Sequence, residues 1–135
     1  MTDEGRIRVL SVDDHALLRE GIASIITLQP DMLLVSQASG GKEAIQQYRE
    51  HRPDVTLMDL RMPDLGGIDA LLAIRAEFPG ARVIILTTFE SDEEVRRAMQ
   101  AGACGYLLKS LAPGKLVQVI REVHGGKTWV DAPVS

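Results

Sequence analysis

The sequence predicts an α/β fold, a doubly wound parallel sheet of five strands with helices on both faces. Three observations carry that expectation. Five short segments, Ile7–Val12, 32–35, 55–58, 83–86 and Gly105–Leu108, are dominated by consecutive apolar residues rather than strict alternation. Strands covered on both faces read this way. Each is followed by a stretch in which apolar residues recur at helical spacing, and Pro, Gly or Asp marks most of the boundaries. Repeating strand and helix units of this kind form a parallel sheet between helical layers, most commonly ordered 2-1-3-4-5 for five units.

Taken in order, Ile7–Val12 ends abruptly at Asp13 and Asp14, and Leu18, Ile22, Ile25 and Ile26 then mark a helix that Pro30 stops. The second strand begins at Met32; Gly40 and Gly41 separate it from a helix carrying Ala44, Ile45 and Tyr48, which closes before Pro53. The third strand begins at Val55. Arg61-Met-Pro-Asp-Leu-Gly-Gly is loop chemistry, and Ile68, Leu71, Leu72 and Ile74 form the next helical stripe. After Pro79 and Gly80, Val83 opens the fourth strand. Ser91 is a good N-cap, followed by Asp92, Glu93 and Glu94 at the positive end of the helix dipole. Glu93 and Arg97 stand at i, i+4 spacing. Gly102 ends that helix, Gly105–Leu108 is the fifth strand, and Leu116, Ile120 and Val123 mark the fifth helix. The tail from Gly125 onward, with two glycines, Trp129 and Pro133, reads as chain leaving the domain, so the domain is bounded at 1–126 and a linker at 127–135.

In such a sheet the carboxyl ends of the strands form the ligand crevice. Asp13 and Asp14 follow the first strand, Asp59 the third, Thr87 the fourth and Lys109 the fifth. Three carboxylates, a hydroxyl and an ammonium together can bind a divalent cation and handle a phosphoryl group. An ionised aspartate can form an acyl phosphate; a hard cation relieves its repulsion with the incoming group, and the acids need such a neutraliser. Lys109 would pair with a phosphoryl oxygen, or with Asp59 at rest, and Thr87 would donate to another oxygen. Taken singly, each residue has a plainer reading. Asp13 or Asp14 could cap a helix, Asp59 could sit in a turn, Lys109 could be a solvated lysine, and Thr87 and Tyr106 could be packing residues.

Composition narrows the class further. The 135 residues carry 15 Lys plus Arg against 19 Asp plus Glu, a net charge of −4, which is poor for gripping a nucleic-acid backbone. The lone Cys104 excludes an internal disulfide and fits a reducing, cytoplasmic setting. No apolar stretch is long enough to cross a membrane. The first βα turn, Asp13-Asp14-His15, lacks the Gly-x-Gly-x-x-Gly of dinucleotide-binding enzymes. A haloacid dehalogenase-type phosphatase would need an acid where Arg61 stands. His15, His51 and His124 are too scattered to suggest a metal site, and Arg96 and Arg97 read as a solvated helix face.

The segments Val9-Leu-Ser-Val-Asp-Asp-His15, Leu57-Met-Asp-Leu-Arg-Met-Pro63 with Gly66 and Gly67, Ile85-Leu-Thr-Thr88, and Ala101-Gly-Ala-Cys-Gly-Tyr-Leu-Leu-Lys109 resemble the receiver domain of two-component response regulators. The resemblance covers roughly residues 6–128. It implies the flavodoxin-like, CheY-like (βα)5 fold and a signalling receiver rather than an enzyme, one that assists its own phosphorylation and dephosphorylation. Asp59 would accept a phosphoryl group from a sensor histidine kinase. Asp14, Asp59 and the backbone carbonyl of Arg61 would contact Mg2+ (or Mn2+), with Asp13 helping directly or through water. Thr87 and Lys109 would hold phosphoryl oxygens, and Thr87 and Tyr106 would act as the switch.

Leu86-Thr-Thr-Phe-Glu90, Leu107-Leu-Lys-Ser110 and Gly126-Lys-Thr-Trp-Val-Asp-Ala-Pro133 resemble the NarL/LuxR type. There a helix-turn-helix domain follows the receiver, so DNA would be met only through a domain absent from this chain. The alternative is a single-domain regulator acting through protein partners alone; homodimerisation on phosphorylation is left open. Two departures stand out. Ser110 follows Lys109 where many receivers have proline, and Thr88 is bulkier than the alanine or glycine often found there, which points to slower attack of water on a phosphoaspartate.

Overall fold

In the computed structural model, residues 5–88 and 91–130 are described. The chain runs β1 (Ile7–Val12), α1 (Ala16–Thr27), β2 (Met32–Ala38), α2 (Gly41–His51), β3 (Val55–Asp59), α3 (Gly67–Glu77), β4 (Val83–Thr87), α4 (Asp92–Gln100), β5 (Gly105–Leu108), α5 (Pro113–His124) and β6 (Trp129–Val130). The sheet order is β2-β1-β3-β4-β5-β6, and every pairing is parallel. The expected order is therefore present, but the sheet has six strands, not five. Trp129 and Val130 do not leave the domain: they pair with Gly105 and Tyr106, and the Trp129 N–H donates to the carbonyl of Cys104 at 3.0 Å. Residues 131–135, the end of the expected linker, lie outside the described residues, as do Phe89 and Glu90 of the NarL/LuxR-type motif.

β3 and β4 are buried throughout, which is why they read as predominantly apolar runs. Alternate residues serve two cores. Met58, Ile85 and Tyr106 face one side of the sheet with Tyr48 of α2, Leu71 and Ile74 of α3, and Ala98 of α4. Leu57, Ile84, Leu86 and Leu107 face the other with Ile22 and Ile26 of α1 and Leu116, Ile120 and Val123 of α5. At β2, an outer strand, Ser36 and Gln37 carry the strand beyond its apolar start to Ala38. A register shift between Val9 and Leu10 accommodates the pairing with β1.

The helix ends are set locally. The Ser91 hydroxyl accepts from the Glu94 N–H at 3.1 Å, the cap expected at α4. Glu93 meets Arg96 at 3.4 Å, the i, i+3 partner, rather than the expected Arg97. Arg52 closes α2 with φ 46, a left-handed turn immediately before Pro53. Among the described residues no peptide bond is cis, so Lys109–Ser110 is trans.

Candidate functional site

Register alone brings the expected residues to one edge of the sheet. Asp59 is the last residue of β3 and pairs with Leu86; Thr87 is the last of β4 and pairs with Leu108. The Lys109 N–H continues the ladder to the carbonyl of Thr87 at 2.7 Å. Asp13 is held just past β1, where its N–H donates to the carbonyl of Ala38 at 3.0 Å and its own carbonyl accepts from Arg19 at 2.6 Å.

An open cleft of about 540 Å³ lies over this edge. His15, Asp59, Arg61, Thr87, Thr88 and Lys109 line it, with Leu17 and Leu18 of α1 forming its apolar side. The acids, though polar, are largely withdrawn from solvent: Asp13 is 1% exposed and Asp59 5%. Lys109 Nζ bridges them, 2.7 Å from Asp13 Oδ2 and 3.2 Å from Asp59 Oδ1. Burial raises the Asp59 carboxyl above its ordinary value and the neighbouring Asp13 charge raises it further; Lys109 and the backbone of Arg61 partly offset this.

The loop after β3 is tied at both ends. The carboxylate of Asp64 accepts from the N–H groups of Gly41 (3.1 Å) and Lys42 (3.2 Å), capping α2 across 22 to 23 residues. Those bonds, Lys42 first, hold the Asp64 carboxyl below its usual range. Gly67 opens α3 directly against β3, where an added Cβ would lie 2.2 Å from the carbonyl oxygen of Asp59. The Arg61 side chain reaches Glu94 of α4 at 2.7 Å.

Several plainer readings give way. The N-cap of α1 is His15, without a side-chain cap, so neither Asp13 nor Asp14 caps that helix. Lys109 is not a solvated lysine: its side chain is 7% exposed and bonded to two acids. Tyr106, by contrast, keeps its plainer reading as a packing residue: it is fully buried in the core beside β5. Thr88 is exposed at the cleft rim.

The cluster also contains a residue that the sequence reading set aside. His15 Nδ1 lies 3.2 Å from Asp13 Oδ1 and 3.2 Å from Asp14 Oδ1. One ligand atom from each of Asp13, Asp14, His15 and Asp59 falls within 4.8 Å of the others. Asp14 Oδ1 is buried yet receives no properly directed hydrogen bond. A buried carboxylate oxygen facing other acids, without a donor, fits a divalent cation among oxygen ligands.

The profile of the response regulator receiver domain matches residues 9–121. The chain belongs to that family. VraR of Staphylococcus aureus (strain Mu3 / ATCC 700698) is 39% identical over 128 residues, 95% of this chain and 61% of that protein. The chain thus spans about three-fifths of the length of that curated relative. A LuxR-family two-component response regulator from Aurantimonas sp. SI85-9A1 superposes with a TM-score of 0.88 at 38% identity, covering 92% of this chain and 89% of that one. The receiver domain of the putative regulator NarL from Mycobacterium tuberculosis gives 0.87 at 32% identity, covering 90% and 98%.

This receiver is therefore of the LuxR/NarL type, with the CheY-like fold. Receivers of this family typically bind Mg2+ at an acidic pocket, and the cluster of Asp13, Asp14 and Asp59 is such a pocket. No helix among the described residues is long and apolar enough to cross a membrane.

Proposed function

We propose that Asp59 accepts a phosphoryl group from the phosphohistidine of a sensor kinase. The observation that carries this reading is the buried Asp59 carboxylate at the cleft floor, with Lys109 Nζ 3.2 Å from Oδ1. A carboxylate oxygen of Asp59 attacks phosphorus, the P–N bond breaks, the imidazole leaves, and an acyl phosphate forms on Asp59. Asp14, Asp59 and the backbone carbonyl of Arg61 would hold Mg2+ or Mn2+, with Asp13 helping directly or through water. When bound, the cation supplies positive charge against the repulsion between the acids and the incoming phosphate.

The protein's own residues do the positioning. Lys109 is freed from Asp59 to meet a phosphoryl oxygen, and its shorter bond to Asp13 keeps the ammonium in place meanwhile. Thr87, whose carbonyl accepts the Lys109 backbone N–H, offers its hydroxyl to a second oxygen. Thr88, at the rim, limits the approach of water to the phosphoaspartate. The new bonds at Thr87 bias the packing of Tyr106, a shift between two arrangements of the core.

The length of a curated relative supports a reading of the output. VraR extends well beyond the region matched here, and the first solved structural relative is a LuxR-family regulator. We place this receiver ahead of a DNA-binding domain, so that phosphorylation controls transcription. Trp129 and Val130 then belong to the receiver body.

Intact mass after incubation with acetyl phosphate tests the phosphoacceptor step. One phosphoryl adduct is expected with Mg2+, and none without it or in Asp59→Asn. Absence of an adduct under every condition would overturn the reading.

A further inference from the structure

The receiver's acidic pocket has a fourth donor that the phosphoryl-transfer reading leaves idle. His15 is anchored by its backbone: its N–H donates to Asp13 Oδ1 at 2.8 Å, and it sits in extended geometry (φ −94, ψ 108) at the start of α1. Its ring then has Nδ1 equidistant, at 3.2 Å, from one oxygen of Asp13 and one of Asp14. Adjacent ligands of an octahedral ion lie about 3.0 Å apart when each is about 2.1 Å from the metal. The Nδ1–oxygen spacings are close to such an edge. The whole set spans 4.8 Å, so closing on one ion needs a contraction of only a few tenths of an ångström. The ring is 70% exposed, so it can turn onto an ion without disturbing the core.

We propose that His15 is a nitrogen ligand to the cation held by Asp13, Asp14 and Asp59, and that it tunes the site towards divalent transition-metal ions. This rests on the cation site proposed above. Imidazole adds little for Mg2+, which takes oxygen ligands, but much for Co2+ or Zn2+, whose affinity for nitrogen is higher. The ordinary alternative is an ion pair in which a protonated His15 offsets the acids. That alternative predicts the opposite sign, because removing a positive charge strengthens the binding of every cation.

The test is equilibrium binding of Mg2+ and of Co2+ at pH 8 to the whole chain, to His15→Ala and to His15→Gln. His15→Ala is expected to weaken Co2+ by about tenfold or more while leaving Mg2+ within about twofold. His15→Gln, which offers an oxygen, should recover Mg2+ affinity fully and Co2+ affinity only in part. With Mn2+ bound, pulsed electron paramagnetic resonance of 15N-histidine-labelled protein should show a directly coordinated nitrogen that His15→Ala removes. Equal changes for Mg2+ and Co2+, or no nitrogen coupling, would overturn the role of His15 while leaving the cation site intact. Failure of both ions to bind the unmodified chain would instead remove the cation site itself, and this inference with it.

Discussion

Lys109 stands closer to Asp13 than to Asp59, 2.7 Å against 3.2 Å, so one ammonium is shared unequally between two buried acids. Removing a partner from a buried ion pair leaves uncompensated charge and costs about 3 kcal/mol or more. Lys109→Met is therefore expected to lower stability by about 3 kcal/mol at neutral pH, measured by urea unfolding in metal-free buffer. A loss below about 1 kcal/mol would show that the acids do not need the ammonium.

Asp59 carries the opposite expectation. Its carboxyl is raised in the folded state by burial and by Asp13, so between the unfolded value, about 3.9, and the raised folded value the native state binds more protons. By linkage, stability falls as pH rises through that window. Asp59→Asn should thus gain about 1 kcal/mol at pH 7 and should flatten the decline in stability above pH 4. Unfolding at pH 4, 5.5 and 7 on both proteins checks the sign.

Gly67 is fixed by close approach. An added Cβ would meet the Asp59 carbonyl oxygen at 2.2 Å and Leu60 Cα at 3.0 Å, both backbone atoms that cannot swing away. Gly67→Ala should cost about 2 kcal/mol or more and slow formation of the phosphoryl adduct, since β3 must shift under Asp59. Gly21→Ala is the control: it lies within α1 with nothing within 4 Å, and alanine there should stabilise by about 0.5–1 kcal/mol.

Thr88 is exposed at the cleft rim. Thr88→Ala should speed loss of the phosphoryl group several-fold without altering its Mg2+-dependent formation. Decay of the adduct by intact mass decides this; an unchanged half-life removes Thr88 from the account.

Trp129 shields the β5 edge. Lys115 Nζ sits 4.0 Å from the centre of its ring, and the strand it opens pairs with Gly105 and Tyr106. Trp129→Ala should cost about 1–2 kcal/mol from lost burial and the cation–ring contact. Thermal unfolding that matches the unmodified chain would mean that β6 adds nothing.

The four inner strands, β1, β3, β4 and β5, were legible because burial on both faces leaves an apolar signature, and the strand-end residues followed from that reading. β6 was not, because a two-residue strand after Gly125 and Gly126 carries no periodicity and is defined only by its partner. β2 ran longer than its apolar start, since Ser36 and Gln37 belong to an outer strand. His15 was passed over by comparing histidines with one another along the chain. Its adjacency to Asp13 and Asp14 was the available signal. The Arg61–Glu94 pair, 33 residues apart, left no mark in the sequence.

The sheet is also a partition. Tyr106 shares its core with α2, α3 and α4, whereas Leu107, one residue on, shares the other with α1 and α5. Repacking around Tyr106 is therefore felt first in one layer, while the opposite layer, with the Leu17 and Leu18 side of the cleft, keeps its shape. Distant sites without shared neighbours respond almost independently to substitution. A lineage of such proteins can accordingly vary α1 and α5 on one face and α3 and α4 on the other, with little interference between the two histories.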